Sequence, residues 1–129
     1  SEIISHLFRV RPMYEVNAFA VGLGLYMLEY PGIVTNYVNE IEQSRKWLIK
    51  ELSKDGIDIA PGFGNFVLIN VGDKERAVKI AEILLNEKIV IKGGFRDSCM
   101  NPYIRVGLGT LYQMRCFLEK FHKALGEIT

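Results

Sequence analysis

The sequence predicts an α+β fold, in which a small, mainly antiparallel sheet carries helices packed on one face. Two observations support this prediction. Apolar residues follow the helical period through the first 54 residues and again near the C-terminus, whereas runs with the two-residue period of strands lie in between. Because 129 residues is an ordinary length for one domain, residues 1–129 are predicted to form a single domain.

The first part of the chain predicts helices only. Residues 1–12 read as a short helical turn ending before Pro12, and residues 13–30 as a helix that is apolar on nearly every side. A helix of that kind has to be covered all round. Residues 33–54 predict an amphipathic helix that stops at Asp55–Gly56. Its apolar stripe consists of Val34, Val38, Ile41, Leu48 and Leu52, with Lys, Arg and Glu on the opposite side.

The remainder alternates strands with helices. Strands are predicted at residues 57–61, 65–71, 88–92 and 103–108. Residues 75–86 predict a helix whose inward residues are Val78, Ala81, Leu84 and Leu85. A last helix begins after Thr110, since Thr110 and Gln113 have the spacing of a capping box. Its buried stripe is predicted to be Met114, Phe117, Phe121 and Leu125.

Composition and charge exclude several classes of function. The net charge is +1 and no block of like charge occurs, so nothing indicates nucleic-acid binding. No apolar run reaches the roughly 20 residues that a membrane span needs. His6 and His122 have no partner at metal-ligand spacing. Cys99 and Cys116 have no framework spacing either, and two reduced thiols indicate a cytoplasmic protein.

The strand at 103–108 contains one charge, Arg105, within the sequence YIRVGL. Because side chains alternate across a strand, Arg105 and Gly107 share the face opposite the apolar residues of this strand. A guanidinium next to a residue without a side chain forms a concave position that suits a carboxylate. The alternative is an arginine paired with a nearby Asp or Glu on a solvated face.

Four segments in order resemble one family. These segments are RVRPMYEVNAFAVGLGL, PGFGNFVLINV, KIVIK and YIRVGLGT. With them, the chain is similar to the C-terminal small domain of fold-type I, pyridoxal-phosphate-dependent aminotransferases, in the histidinol-phosphate aminotransferase branch. The resemblance covers nearly the whole chain.

The resemblance implies a function and a division of labour. Arg105 matches the family's arginine that grips the substrate α-carboxylate, and Asn65 and Lys92 match further positions near the substrate. The implied reaction moves an amino group between an amino acid and a keto acid, with pyridoxal phosphate as electron sink. The family's Schiff-base lysine lies in a large domain that has no counterpart here. The resemblance therefore implies the C-terminal part of a longer, homodimeric enzyme that is inactive as an isolated fragment.

Three departures from the family pattern limit what the resemblance implies. Lys92 stands where histidinol-phosphate enzymes commonly have an arginine, Gly62 replaces a frequent serine, and Lys88 replaces a frequent glycine. We therefore do not expect histidinol phosphate as the substrate, and related decarboxylases remain open. The alternative function is a stand-alone, non-catalytic module that binds an amino acid or mediates dimerisation. Tyr14 is predicted to pack in the core rather than to contact the substrate site.

Overall fold

A computed structural model describes residues 2–10, 16–60, 62 and 64–128. Their contacts divide the chain into two compact units, Ser1–Asn36 and Tyr37–Thr129. The helices are α1 (Glu2–Val10), α2 (Ala18–Glu29), α3 (Pro31–Lys54), α4 (Lys74–Asn86) and α5 (Leu111–Glu127), and the strands are β1 (Ile59–Ala60), β2 (Phe66–Asn70) and β3 (Tyr103–Gly107). The prediction of a single domain stays a prediction.

The first unit contains α1, α2 and the beginning of α3. Asn17 caps α2, because its side chain accepts a hydrogen bond of 2.8 Å from the Ala20 N–H. The chain breaks between α2 and α3, and Pro31 occupies the first turn of α3, where a missing N–H costs nothing. The predicted helix start at Met13, together with Tyr14, lies outside the described residues. No described residue of α2 is buried.

The second unit is built on an antiparallel sheet with the strand order β1-β2-β3. Helices α4 and α5 pack against each other, and α4 also contacts β3. The capping box of α5 is present: Thr110 accepts from the Gln113 N–H at 3.2 Å, and Gln113 accepts from the Thr110 N–H at 2.8 Å. The predicted α+β class is confirmed.

The predicted strand at residues 88–92 is wrong. Only Lys92 pairs with the sheet, through a bridge in which it exchanges two backbone hydrogen bonds with Arg105, of 2.7 and 3.2 Å. The reason lies at the preceding residue. Lys88 has φ +65°, which is a left-handed conformation, so the chain bends at the point where a strand would have to begin.

The bend at Lys88 ends α4 with a recurrent pattern of backbone hydrogen bonds. The Ile89 N–H donates to the Leu84 carbonyl at 2.8 Å, and the Lys88 N–H donates to the Leu85 carbonyl at 3.0 Å. These two bonds are the Schellman motif, whose left-handed residue is usually glycine. Lys88 therefore occupies the position at which the resembled family frequently has glycine, and the structure supplies the conformational reason for that preference.

The core of the second unit lies between the sheet and its helices. Its largest residues without measurable exposure are Leu48, Leu52, Ile69, Ile80, Leu84, Ile104 and Phe121. On α5 the predicted stripe is buried at Met114, Phe117 and Phe121, with Leu125 partly buried. On α4 the prediction was partly wrong, since Ala77, Ile80 and Leu84 face inward whereas Val78 and Leu85 are exposed. The predicted and the observed inward residues both have helical spacing, and only packing against the sheet determines which of them are buried.

Within the described ranges, no single helix is both long and apolar enough to cross a membrane. Only α2 and α3 taken together, joined at a bend, reach that length and composition.

Candidate anion-binding site on the open face of the sheet

Arg105 lies in a row of four residues that crosses the sheet on one face. The register places Ala60 opposite Leu68, Leu68 opposite Arg105, and Arg105 opposite Lys92. Residues directly opposite one another in an antiparallel sheet share a face. In β3 this face is the exposed one, since Ile104 and Val106 are buried on the other side. The prediction that Arg105 points away from the core is confirmed.

The two cations of this row, Arg105 and Lys92, have no acidic partner in the part of the chain that the structure describes. Among the described residues, neither Arg105 nor Lys92 forms an ion pair with a carboxylate. The alternative reading of Arg105 as half of a surface ion pair therefore finds no support there. Two adjacent positive charges without a counter-ion repel each other and attract an anion.

Each cation instead lies over an aromatic ring. The Arg105 guanidinium carbon is 4.2 Å from the centre of the Phe66 ring, and the Lys92 Nζ is 5.2 Å from the centre of the Phe95 ring. A ring face attracts a cation and uses none of its N–H donors. The rings thus hold the two cations while leaving their hydrogen-bonding groups available to an anion.

The predicted open position next to Arg105 is present at Gly107. Gly107 lies opposite Phe66 on the same face, and a Cβ added at Gly107 would meet nothing within 4 Å. Asn65, the third predicted site residue, is exposed and precedes β2. Its carbonyl accepts a hydrogen bond of 2.8 Å from the Leu108 N–H, which anchors its backbone at the end of the β2–β3 ladder.

Gly93 fixes the segment that carries Lys92 and Phe95. A Cβ at Gly93 would lie 2.4 Å from the Ala77 carbonyl oxygen, so this backbone approaches α4 more closely than any other residue type permits. The approach explains how Lys92 reaches the sheet without a continuous strand before it.

Sequence reasoning missed Arg45. It was assigned to the polar side of α3, but it is 6% exposed and lies among the buried residues of that helix. Its guanidinium donates to the carbonyls of Gly62 at 2.8 Å, Phe66 at 3.3 Å and Gly64, while its Nε donates to Glu42 at 3.2 Å. The sequence contained a signal for this burial. The spacing of Ile41, Arg45, Leu48 and Leu52 places all four on one side of the helix, and Arg45 is the charged residue among them.

None of the lysines, all of which lie among the described residues, is buried. Pyridoxal phosphate requires a lysine in an enclosed site. Of the nine lysines, eight are exposed, and the half-buried Lys120 binds the Glu87 carboxylate at 2.9 Å. No group of three or more potential metal ligands occurs in the described ranges either.

These features define an α+β fold in which two cations on the open face of a sheet have no carboxylate partner among the described residues. The sequence profile of the family described as "Aminotransferase class I and II" matches residues 2–121. The chain belongs to this family, and it corresponds to the C-terminal part of the family's proteins.

Individual relatives have one name in common. The chain is 28% identical over 127 residues to histidinol-phosphate aminotransferase 1 of Carboxydothermus hydrogenoformans, covering 98% of the chain and 34% of that protein. It is also 28% identical to the histidinol-phosphate aminotransferase of Geotalea daltonii, covering 98% of the chain and 35% of that protein. This chain thus spans about a third of the length of the curated relatives it matches.

A solved structure supports the fold. A crystal structure of a protein assigned as a histidinol-phosphate aminotransferase, from Erwinia carotovora atroseptica, superposes with a TM-score of 0.71. The match covers 95% of this chain and 34% of the other at 20% identity. At that identity the likeness concerns the fold alone.

Proposed function

We propose that this chain is part of a pyridoxal-phosphate-dependent aminotransferase, in which it supplies the arginine that binds the substrate carboxylate. The observation that carries the proposal is Arg105: an exposed guanidinium without a carboxylate partner among the described residues, backed by the Phe66 ring and open toward Gly107. Family membership supports the reaction class.

The chain's contribution to this function is orientation. Arg105 presents parallel N–H donors, so a carboxylate is held in one plane by two charge-assisted hydrogen bonds. Fixing the carboxylate fixes the α-carbon of an amino acid, and such orientation contributes several kcal/mol to lowering a barrier. The cofactor, held by protein outside this chain, supplies the electron sink for deprotonation at that carbon. No residue described here takes part in that proton transfer.

Lys92 is proposed to influence the distal group of the substrate. It neighbours Arg105 across the bridge and keeps a positive charge, but an ammonium lacks the planar fork of an arginine. In the full-length protein, Lys92→Arg is expected to change the preference among acidic or phosphorylated substrates and to leave alanine-like substrates unaffected. Equal changes for every substrate would show that Lys92 acts through the fold instead. Asn65 is proposed as the third substrate-contacting residue.

Substitution of Arg105 tests the proposal in the full-length protein. Arg105→Gln is expected to weaken amino-acid binding by about 2–4 kcal/mol, because a charged bidentate pair is lost. Pyridoxal-phosphate binding, followed by absorbance, should be unchanged. Arg115→Gln is the matched control: Arg115 is also exposed and also lies over a ring, that of Trp47 at 5.8 Å, but it belongs to α5. Unchanged substrate binding in Arg105→Gln would refute the assignment.

Gly107→Ala gives an independent, steric test. The added methyl group meets nothing within 4 Å in this chain, so stability should be retained. If a carboxylate binds next to Arg105, this methyl group enters its space and raises KM. A variant with unaltered KM would place the substrate elsewhere.

The alternative, a non-catalytic module, makes different predictions. It would bind an amino acid through Arg105 without any cofactor, and the protein would contain no Schiff-base lysine. The coding sequence ahead of Ser1 separates the two functions, since the enzyme requires a Ser-x-x-Lys segment there. The proposal also includes a cytoplasmic location and a homodimeric full-length enzyme.

A further inference from the structure

Arg45 bonds to the segment that connects β1 to β2. The described β1–β2 pairs are Ile59–Ile69 and Ala60–Leu68. Arg45 Nη1 donates to both the Gly62 and the Phe66 carbonyl, at 2.8 and 3.3 Å. The guanidinium therefore binds one carbonyl shortly after β1 and one at the start of β2.

A third bond lies between these two carbonyls. Arg45 Nη2 donates to the carbonyl of Gly64, so one planar group binds the carbonyls of Gly62, Gly64 and Phe66. A guanidinium has five N–H groups in a fixed geometry, so it can donate to several carbonyls at once. A lysine at position 45 would have three donors on one atom and could not span the same carbonyls.

The turn held by Arg45 supports Arg105. Phe66 follows the turn directly, and a Cβ added at Gly64 would lie 3.2 Å from the Phe66 ring. The same ring lies under the Arg105 guanidinium, whose carbon is 4.2 Å from the ring centre. Arg45 is thus linked indirectly to Arg105: it binds the Gly64 carbonyl, and the Phe66 ring near Gly64 contacts Arg105. Asn65 lies in the same turn.

The electrostatic setting of Arg45 differs from that of Arg105. Arg45 is buried, and its charge is balanced by Glu42 at 3.2 Å and by three carbonyl dipoles. Arg105 is exposed and has no carboxylate partner among the described residues. Arg45 is buried and already bonded, so a substrate cannot reach it readily, whereas Arg105, which contacts the Phe66 ring, is exposed.

We propose that Arg45 is a positioning residue for substrate binding, acting by holding the carbonyls of Gly62, Gly64 and Phe66 so that the Phe66 ring orients the Arg105 guanidinium. This inference rests on the proposed function, because it assigns Arg45 a role in the affinity of the Arg105 site. It predicts a defect in substrate binding rather than in the chemical step.

The test uses the full-length protein with Arg45→Met, Arg45→Lys and Lys46→Met. Lys46 neighbours Arg45 and also contacts Glu42, at 3.8 Å, but it is exposed and makes no bond to the described residues of the turn. Arg45→Met is expected to raise KM for an amino-acid substrate by about 10- to 100-fold with kcat changed much less, because a displaced binding group acts mainly on affinity. Arg45→Lys should fall between Arg45→Met and wild type, and Lys46→Met should match wild type.

A second readout does not depend on activity. Amide hydrogen exchange, followed by mass spectrometry, should become faster in residues 62–66 and at Leu108, whose N–H donates to Asn65, while the amides of α5 keep their protection. Arg45→Lys retains a cation and much of the side-chain volume, so it provides the measurement even if Arg45→Met fails to fold.

The outcomes separate this inference from the proposed function. Faster exchange together with a raised KM supports the positioning role. Faster exchange with unchanged KM, when Arg105→Gln does raise KM, overturns the positioning role and leaves the Arg105 assignment intact. If Arg105→Gln has no effect on KM, the proposed function and the positioning role are both wrong, although hydrogen exchange would still show whether Arg45 holds the turn. Unchanged exchange in Arg45→Met would show that Arg45 does not hold the turn.

Discussion

In the second unit of the chain the apolar side chains occupy one side of each element, whereas α2 in the first unit carries them on every side. The consequence is visible in two phenylalanines: Phe121 on α5 is 0% exposed and Phe19 on α2 is 81% exposed. Both helices are rich in apolar residues, but only an amphipathic helix has a defined side to turn toward a sheet. The period of the apolar residues, rather than their number, therefore decides where a core forms.

The largest expected difference is in stability. Phe121→Ala should lower the free energy of unfolding by about 3–5 kcal/mol, because it removes a buried ring and leaves a cavity. Phe19→Ala should change it by less than about 0.5 kcal/mol, as for other exposed positions. Urea denaturation of the 129-residue chain, followed by circular dichroism, measures both. Similar losses for the two variants would show that α2 contributes to the same core.

The second prediction concerns the uncovered side chains of α2. An exposed apolar patch of several hundred Å² favours association, so the isolated chain should sediment as a dimer at micromolar concentration. Placing Asp at both Phe19 and Leu28 should weaken dimerisation about 100-fold or more, which is about 2.7 kcal/mol. Val90→Asp is the control, since Val90 is as exposed as Phe19 but lies outside α2. A wild-type chain that sediments as a monomer would contradict the prediction.

The third prediction compares two helix ends within the packed unit. The left-handed residue after α3 is Gly56, with φ +71°, and the one after α4 is Lys88, with φ +65°. Since this conformation is costly for residues with a Cβ, Lys88→Gly should stabilise the chain by about 1 kcal/mol and Gly56→Ala should destabilise it by a similar amount. Thermal unfolding of both variants tests this, and a destabilised Lys88→Gly would count against the assigned conformation.

The smallest expected effect is electrostatic. The Lys123 and Lys120 ammonium groups, which hydrogen-bond Glu87 at 2.8 and 2.9 Å, lower the pKa of the Glu87 carboxyl from 4.5 to about 2. A lowered carboxyl pKa stabilises the fold above the unfolded value of 4.5, and this contribution is lost as the pH falls toward 2. Because the group is at the surface, salt should weaken the effect.

The measurement is the pH dependence of stability in wild type and Glu87→Gln. Between pH 4.5 and 2, wild type should lose stability more steeply than the variant, and the difference should shrink in high salt. Parallel curves would mean that the bonds from Lys120 and Lys123 do not persist in solution.

Structural features that depend on residues close together in the sequence could be predicted from the sequence. The α+β class followed from two periods in the sequence, the start of α5 from the spacing of Thr110 and Gln113, and the exposed face of Arg105 from alternation along a strand. The resemblance to aminotransferases was equally readable, because it depends on the order of short motifs. In each case the information lies within a few residues of the position concerned.

What the sequence by itself determined is thus the class of fold, the face of β3 and the family. Tertiary structure alone decided that Lys92 reaches the sheet through one bridge, that Ile80 rather than Val78 faces inward, and that Arg45 is buried on the carbonyls of a turn about 20 residues away. The physical reason is common to all three. An element's periodicity fixes which residues share a side, but which side is buried, and which backbone groups need a donor there, depends on segments that are distant in sequence.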